Sequence, residues 1–319
     1  MSLIVALDPG FGNTKVASEA GVYVLQSAVA RPREIGLAAK GLETQARPQT
    51  VTLAGGLSFV AGAGAWAWGE PLSTLDFNDL TSPQRLALFY AALSHLLPPG
   101  EQVIDLLVIG LPVPLLQDEL QARTILDGLG QYKTVHEFSV DGKKYSLLIK
   151  KLNALPQPVG AYADWMLNGD GHVRQGGGAA EVAILDIGMN TLDLYVIQGW
   201  KVTPRFIGGG KLGIRRLLEN LNPVGRDLEE LDCALRSGSL QPSLEQKTAW
   251  LGAILGCVER TWSSLRRFDA VIPTGGGTVV LGELLRSTLA AKGAAVHWPD
   301  DPVTANVRGF YKWGCRVHR

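Results

Sequence analysis

Three observations predict an α/β fold made of two similar lobes. First, apolar runs that read as buried strands alternate with helical stripes in both halves of the chain. Second, "VALDPGFGNTKVA" and "AILDIGMNTLDLYV" repeat one pattern: strand, Asp, one residue, Gly, a stretch ending Asn-Thr, then another strand. Third, glycine clusters stand between strand and helix in "RFIGGGKLGIRRLL" and "AVIPTGGGTVVLGELL".

The bulk properties fit such a fold. A chain of 319 residues favours two domains, and 46% hydrophobic with 19% charged residues supports a sizeable core. Lys+Arg and Asp+Glu are 30 each, which argues against broad electrostatic binding to DNA or anionic membranes. The near-zero net charge also suits self-association. Cys233, Cys257 and Cys315 are scattered and form no CxxC, so a reducing, cytoplasmic setting is expected. No signal segment or spanning helix is read.

In chain order, Leu3–Leu7, Lys15–Ser18 and Val22–Leu25 read as strands around turns. Residues 31–80 read as a small, partly β subdomain. Ser82 and Pro83 open a helix carrying Phe89, Leu93, Leu96 and Leu97 on one face. Val103–Ile109 reads as a buried strand, 169–181 as a Gly-rich loop and Val182–Leu185 as the strand that starts the second lobe. Ile214, Leu217, Leu218 and Leu221 mark a helix, and 222–243 reads as polar loop. Leu251, Ile254, Leu255, Val258, Trp262 and Leu265 form the stripe of a long helix. Ala270–Ile272 is a short strand.

The two echoing tips carry the candidate chemistry. Gly10, Gly12 and Gly188 let backbone N–H groups converge on an anion. Asn13, Thr14, Asn190 and Thr191 add hydrogen bonds, and Lys15 adds a cation. Asp8 and Asp186 would repel a bare phosphate, so they ask for a hard cation such as Mg²⁺, bridged to phosphate oxygens through its waters. The alternative is a pair of ordinary Gly/Asn hairpins. Gly208, Gly209, Gly210 and Lys211 suit a phosphate or ribose edge at a helix start. Gly208, Gly210 and Gly213 formally match GxGxxG, but the following βαβ strand is missing. Gly275, Gly276 and Gly277 allow a flat purine to approach the backbone. Close packing is the alternative for both clusters. The alternation of Asp193 with Leu192 and Leu194 reads as a solvent-facing aspartate.

This order of motifs resembles the actin/Hsp70/sugar-kinase ATPase superfamily, and within it the ParM/StbA plasmid-segregation type. "ALDPGFGNTK" looks like the first phosphate loop, "VAILDIGMNTLDL" the second and "TGGGTVVLGELL" the adenosine motif. "LPQPVGAYADW" and "ANVRGFYKWG" look like the two connecting helices. The resemblance implies two duplicated, ribonuclease-H-like lobes with ATP or ADP and Mg²⁺ in the cleft, slow hydrolysis and filament assembly. It implies lobe I at 1–165, with a small subdomain at 31–80 and completed by helix 304–319. Lobe II would be 166–303, with a small subdomain at 214–268. Gln157 would orient the attacking water, Asp186 would hold Mg²⁺ waters or polarise the nucleophile, and Glu219 and Glu245 are both candidates for the ribose. Pro9 and Phe11 leave no Ser to sense the γ-phosphate, so Thr14 or backbone amides would do so. Partners implied are further copies of the chain and an adaptor linking it to DNA. The alternatives are a nucleotide-binding scaffold that does not polymerise and a small-molecule kinase, for which "LLVIGLPVPL" lacks an acid.

Overall fold

The computed structural model describes residues 2–33, 47–72, 80–113, 116, 119–174, 177–222 and 224–318. Packing divides the chain into two compact units: Met1–Leu107 with Pro114–Asn153, and Val108–Val113 with Ala154–Arg319.

The first unit opens with β1 (Ile4–Pro9), β2 (Asn13–Ser18) and β3 (Gly21–Gln26), an antiparallel meander. β4 (Val29–Pro32), β5 (Gln49–Leu53), β6 (Ser58–Ala61) and β7 (Gly69–Pro71) follow, so the expected small β region is present. The parts of it at 34–46 and 73–79 lie outside the described residues. Helix α1 (Pro83–Leu93) starts where Ser82 and Pro83 predict, with the Ser82 hydroxyl accepting from the Arg85 amide. The stretch read as one strand at 103–109 is two, β8 (Gly100–Ile104) and β9 (Leu106–Leu111). Asp105 breaks it, its carboxylate accepting from the Leu3 amide and from Lys150.

α2 (Glu119–Gly128), β10 (Val135–Val140), β11 (Lys143–Ile149) and β12 (Leu152–Pro156) complete the series. Asp141 and Gly142, both at positive φ, turn β10 into β11. One sheet runs β12-β9-β1-β2-β3 and another β7-β4-β6-β5-β10-β11-β8. The division between the units falls within β9 and β12.

The second unit centres on β13 (Glu181–Ile187), β14 (Leu192–Gln198), β15 (Lys201–Val202), β16 (Gly208–Gly210) and β17 (Ala270–Thr274). Helices α3 (Gln157–Met166) and α9 (Ala305–Val317) lie on one side of the sheet. On that side Val182, Ile184, Tyr195, Ile197, Ala270 and Ile272 join Ala161, Tyr162 and Ala305 in one core. The opposite side packs Leu185, Ile187, Leu194 and Val271 against α4 (Ile214–Asn220), α5 (Leu228–Ser237), α6 (Leu244–Thr261), α7 (Gly276–Leu281) and α8 (Glu283–Ala291). Both faces of β13 are therefore buried, which explains its continuous apolar run. A Ser243–Gln246 capping box starts α6.

One further expectation is corrected. Residues 222–243 contain α5: Leu228, Leu231 and Leu235 share a face, and Gly238 in the left-handed region ends the helix. Helices α3 and α9 both fall in the second unit. They are held by mutual contact: the backbones of Gly160 and Gly309 touch, and Asp164 pairs with Arg308 and Lys312. The helices of 214–268 contribute to the main core of their unit. Among the described residues no helix is long and apolar enough to cross a membrane.

Candidate functional site

In the first unit, Asp8 and Lys15 face each other across the β1–β2 hairpin, and Pro9 pairs with Thr14 at its end. Asp8 is fully buried and Lys15 Nζ lies 2.7 Å from its Oδ2. Successive strand residues point to opposite faces, so Thr14 turns away from Asp8 and Lys15. Its hydroxyl sits 2.9 Å from that of Ser27, and Ser27 donates to the Gly10 carbonyl. Thr14 thus braces the loop from behind.

Arg85, on α1 and 4% exposed, donates from Nη1 to the carbonyls of Pro9 and Gly10. Its guanidinium lies 5.4 Å from the centre of the Phe11 ring. This gives Phe11 a physical role, as a cation–π lid on a buried arginine. Nothing in the local sequence pattern marks Arg85 or Ser27.

In the second unit, Asp186 pairs with Asp193 across β13 and β14, and with Thr274 across β13 and β17. The three form one row on the α3–α9 side, where the two rows before it, Val182–Ile197–Ala270 and Ile184–Tyr195–Ile272, are apolar. Asp193 is buried, against the expectation of a solvent-facing residue. The cause is the helical cover on both sides of the sheet. Two carboxylates directly across a hairpin, ~5 Å apart, repel by about 3 kcal/mol at an effective dielectric of about 20. Burial first, and the Asp186 charge second, push the Asp193 carboxyl up to about 7, while the Thr191 hydroxyl bonded to it at 2.8 Å opposes the shift. A proton or a cation relieves the pair. Asp186 in turn accepts from Asn306 Nδ2 at 2.8 Å.

The two hairpins match by register, with Gly10 and Gly188 following the last pair-forming strand residues Pro9 and Ile187. The Asn-Thr pairs of the two tips are offset by one residue: Thr14 lies opposite Pro9, while Thr191 precedes Leu192, the residue opposite Ile187. Asn13 stands at the start of β2 and Asn190 in the β13–β14 loop.

The second glycine cluster keeps the strand–glycine–helix order read from the sequence, and the first departs from it. Gly208, Gly209 and Gly210 are strand β16, paired to β14, and not a loop feeding a helix. A side chain at Gly208 would strike Thr261, and one at Gly209 the Leu192 carbonyl, so close packing accounts for both. Lys211 is exposed and α4 begins only at Ile214. Gly275, at φ 85°, lies against Asp186: a Cβ there would stand 2.6 Å from Asp186 Oδ1. Gly277 has the same relation to the Ile187 side chain, and Gly276 approaches Ile214. Gln157 is the first residue of α3, half-buried, beside Gly110 and Phe310. Among the described residues no cluster of three His, Cys, Asp or Glu could hold a metal by itself.

Comparison with known proteins follows this geometry. Residues 6–160 match the family model described as actin like proteins N terminal domain. A search of curated protein sequences finds no match. Among solved structures, the chain is similar to apo pSK41 ParM, with 17% identity, TM-score 0.73 and coverage of 99% of this chain and 98% of that one. It is similar to the archaeal actin homologue Ta0583 in complex with ADP, with 18% identity, TM-score 0.70 and full coverage of both chains. It is also similar to a 15-stranded ParM filament from Clostridium botulinum, with 17% identity, TM-score 0.71 and coverage of 98% and 99%.

Proposed function

We propose that the protein is an actin-like ATPase that binds ATP and ADP with Mg²⁺ and assembles into nucleotide-dependent filaments, a reading supported by the match of residues 6–160 to the actin-like N-terminal family model and by the whole-chain fold similarity to actin-like structures. The observation that carries this reading is the repeated hairpin, in which a buried aspartate, Asp8 or Asp186, stands two residues before the loop glycine in each unit. Such duplication is unneeded for two structural turns and is what a ligand with several charged groups requires. The ADP bound by the archaeal homologue and the filament formed by the clostridial ParM support it.

In this reading each tip serves nucleotide phosphate. Lys15 and the Gly10 and Gly12 amides take phosphate charge, and Gly188 with Asn190 and Thr191 does so from the second tip. When bound, Mg²⁺ would neutralise phosphate charge. Lys15 already neutralises Asp8, so Asp186, facing a second carboxylate, is the better placed of the two to hold the waters of the ion. Gln157 orients the attacking water as donor and acceptor. An amide is a poor base, so its contribution is positioning. Gly275, Gly276 and Gly277 border the nucleoside. Work in DNA or plasmid segregation, in the cytoplasm and through an adaptor, is the biological setting this reading favours.

Nucleotide-dependent sedimentation, light scattering and phosphate release with ATP, beside ADP, test the proposal. Filaments with ATP, loss of turnover in Gln157→Ala and loss of both binding and turnover in Asp186→Ala are expected. Absence of both hydrolysis and assembly at high protein concentration would sink it.

A further inference from the structure

Asn306 is the second residue of α9 and 4% exposed, between the core residues Ala305 and Val307. A buried amide costs free energy unless its groups are bonded. The Nδ2 group donates to Asp186 Oδ2 at 2.8 Å, and the carboxylate partner fixes which end of the amide points there. Asn306 Oδ1 is buried and has no partner among the described residues. Thr274, in register with Asp186 on the neighbouring strand, is fully buried too, and its Oγ1 is likewise without a partner. Two orphan polar atoms bordering the same carboxylate mark a place built for water.

The support behind Asn306 is rigid. A Cβ at Gly160 would stand 2.4 Å from the Asn306 carbonyl oxygen, and a Cβ at Gly309 would stand 1.7 Å from the Gly160 carbonyl oxygen. One turn on, Arg308 and Lys312 both pair with Asp164 of α3. On its other oxygen Asp186 meets Gly275, where a side chain has no room. The carboxylate is thus held between a hydrogen bond and a close backbone approach.

We infer that Asn306 is a positioning residue: its Nδ2 fixes the Asp186 carboxylate, and its Oδ1 accepts a hydrogen bond from a water of the nucleotide–metal site. The inference rests on the nucleotide reading above. A purely structural role, pinning α9 to β13, predicts a different outcome in a direct comparison.

The test uses Asn306→Ala, Asn306→Asp and, as a structural control, Lys312→Met, which loosens the same helix without touching Asp186. Melting temperature, kcat and KM for ATP, and ADP affinity with Mg²⁺ and with chelator are measured for each. Both Asn306 variants should lose kcat about 10–100-fold with KM within about threefold of wild type. The gain in ADP affinity that Mg²⁺ brings should fall about tenfold, with the metal-free affinity unchanged. Lys312→Met should melt lower yet keep kcat within about threefold. Asn306→Asp keeps shape and acceptor, so it gives the answer if the alanine variant fails to fold. The inference is overturned if the Asn306 variants keep wild-type kcat and Mg²⁺ response, or if their losses match those of Lys312→Met at equal melting temperature. A wild type that neither hydrolyses ATP nor binds ADP overturns the functional reading itself, and this inference with it.

Discussion

Lys15 and Asp193 occupy the same position in two hairpins: each lies directly across from the buried aspartate of its own unit, Lys15 from Asp8 and Asp193 from Asp186. In the first hairpin the aspartate meets a cation 2.7 Å away. In the second it meets another acid whose carboxyl is pushed up to about 7. The duplicated hairpins have therefore diverged in charge at one matched place. The first is internally compensated; the second gains most from a cation brought by a ligand.

Removal of the cation should expose that difference. Lys15→Met removes the cation 2.7 Å from the buried Asp8 carboxylate, which costs about 3–5 kcal/mol. The double variant Lys15→Met/Asp8→Asn should recover most of the loss, because no charge is left behind. Chemical unfolding of both variants measures it, and equal destabilisation of single and double variants would contradict the pairing.

The hairpin tips were legible because they combine a buried apolar strand with glycines, and both signals are local. The stripe of α6 and the Ser82 and Pro83 start of α1 were legible for the same reason. Asp193 was misread because alternation with Leu192 and Leu194 separates two faces without telling which is wet. Here helices cover both. Gly208 to Gly210 form a strand rather than a helix entry because a glycine run is silent about pairing partners, and β14 claims it. The α5 helix was hidden by its polar side chains, although Leu228, Leu231 and Leu235 keep helical spacing. Arg85 and Asn306 act through contacts far along the chain, which no spacing rule reveals.

The buried histidines should cost stability in mild acid. His136 is buried, and its Nε2–H donates to the Tyr132 carbonyl at 2.9 Å, so its Nδ1 is the acceptor for the Tyr90 hydroxyl at 2.6 Å. Burial lowers the histidine's pKa, against the smaller opposing pull of the Tyr132 carbonyl. The folded pKa lies below the unfolded value of about 6.5, so the unfolded chain takes up the proton first. The contribution is complete above about pH 6.5 and is lost as pH falls through the folded pKa. His95 and His297 are shifted in the same direction and add to the slope. Asp193, its carboxyl pushed up to about 7, acts in the opposite direction, because the folded chain takes up that proton first. The histidine contribution is therefore read as the difference between wild type and variant: from pH 8 to 5 the denaturant midpoint of His136→Gln should fall less, or rise more, than that of wild type, and an unchanged slope in that variant would refute the assignment.

Two glycine-to-alanine changes should have opposite signs. At Gly309 the new methyl would stand 1.7 Å from the Gly160 carbonyl oxygen, so α3 and α9 must separate at a cost of about 3 kcal/mol or more. At Gly252, exposed within α6, nothing lies within 4 Å, so alanine should stabilise by about 0.5–1 kcal/mol. Thermal melting of the two variants side by side measures both, and a stable Gly309→Ala would mean that the helices are not pinned there.

The Arg85–Phe11 contact predicts a graded response at the first tip. Phe11→Ser removes the aromatic lid and leaves the two carbonyl bonds from Arg85. Loss of a partly desolvated cation–π contact costs about 1 kcal/mol. Arg85→Ala removes the lid's partner and both bonds, each a charge-assisted one, and should cost about 2–4 kcal/mol. Because those bonds end on Pro9 and Gly10, the loop glycines lose their brace along with the stability. In Arg85→Ala, ADP affinity should drop about tenfold more than in Phe11→Ser. Melting curves and ADP titration of the two variants separate the effects, and equal ADP affinity in both would show that Arg85 braces the core of its unit and not the tip.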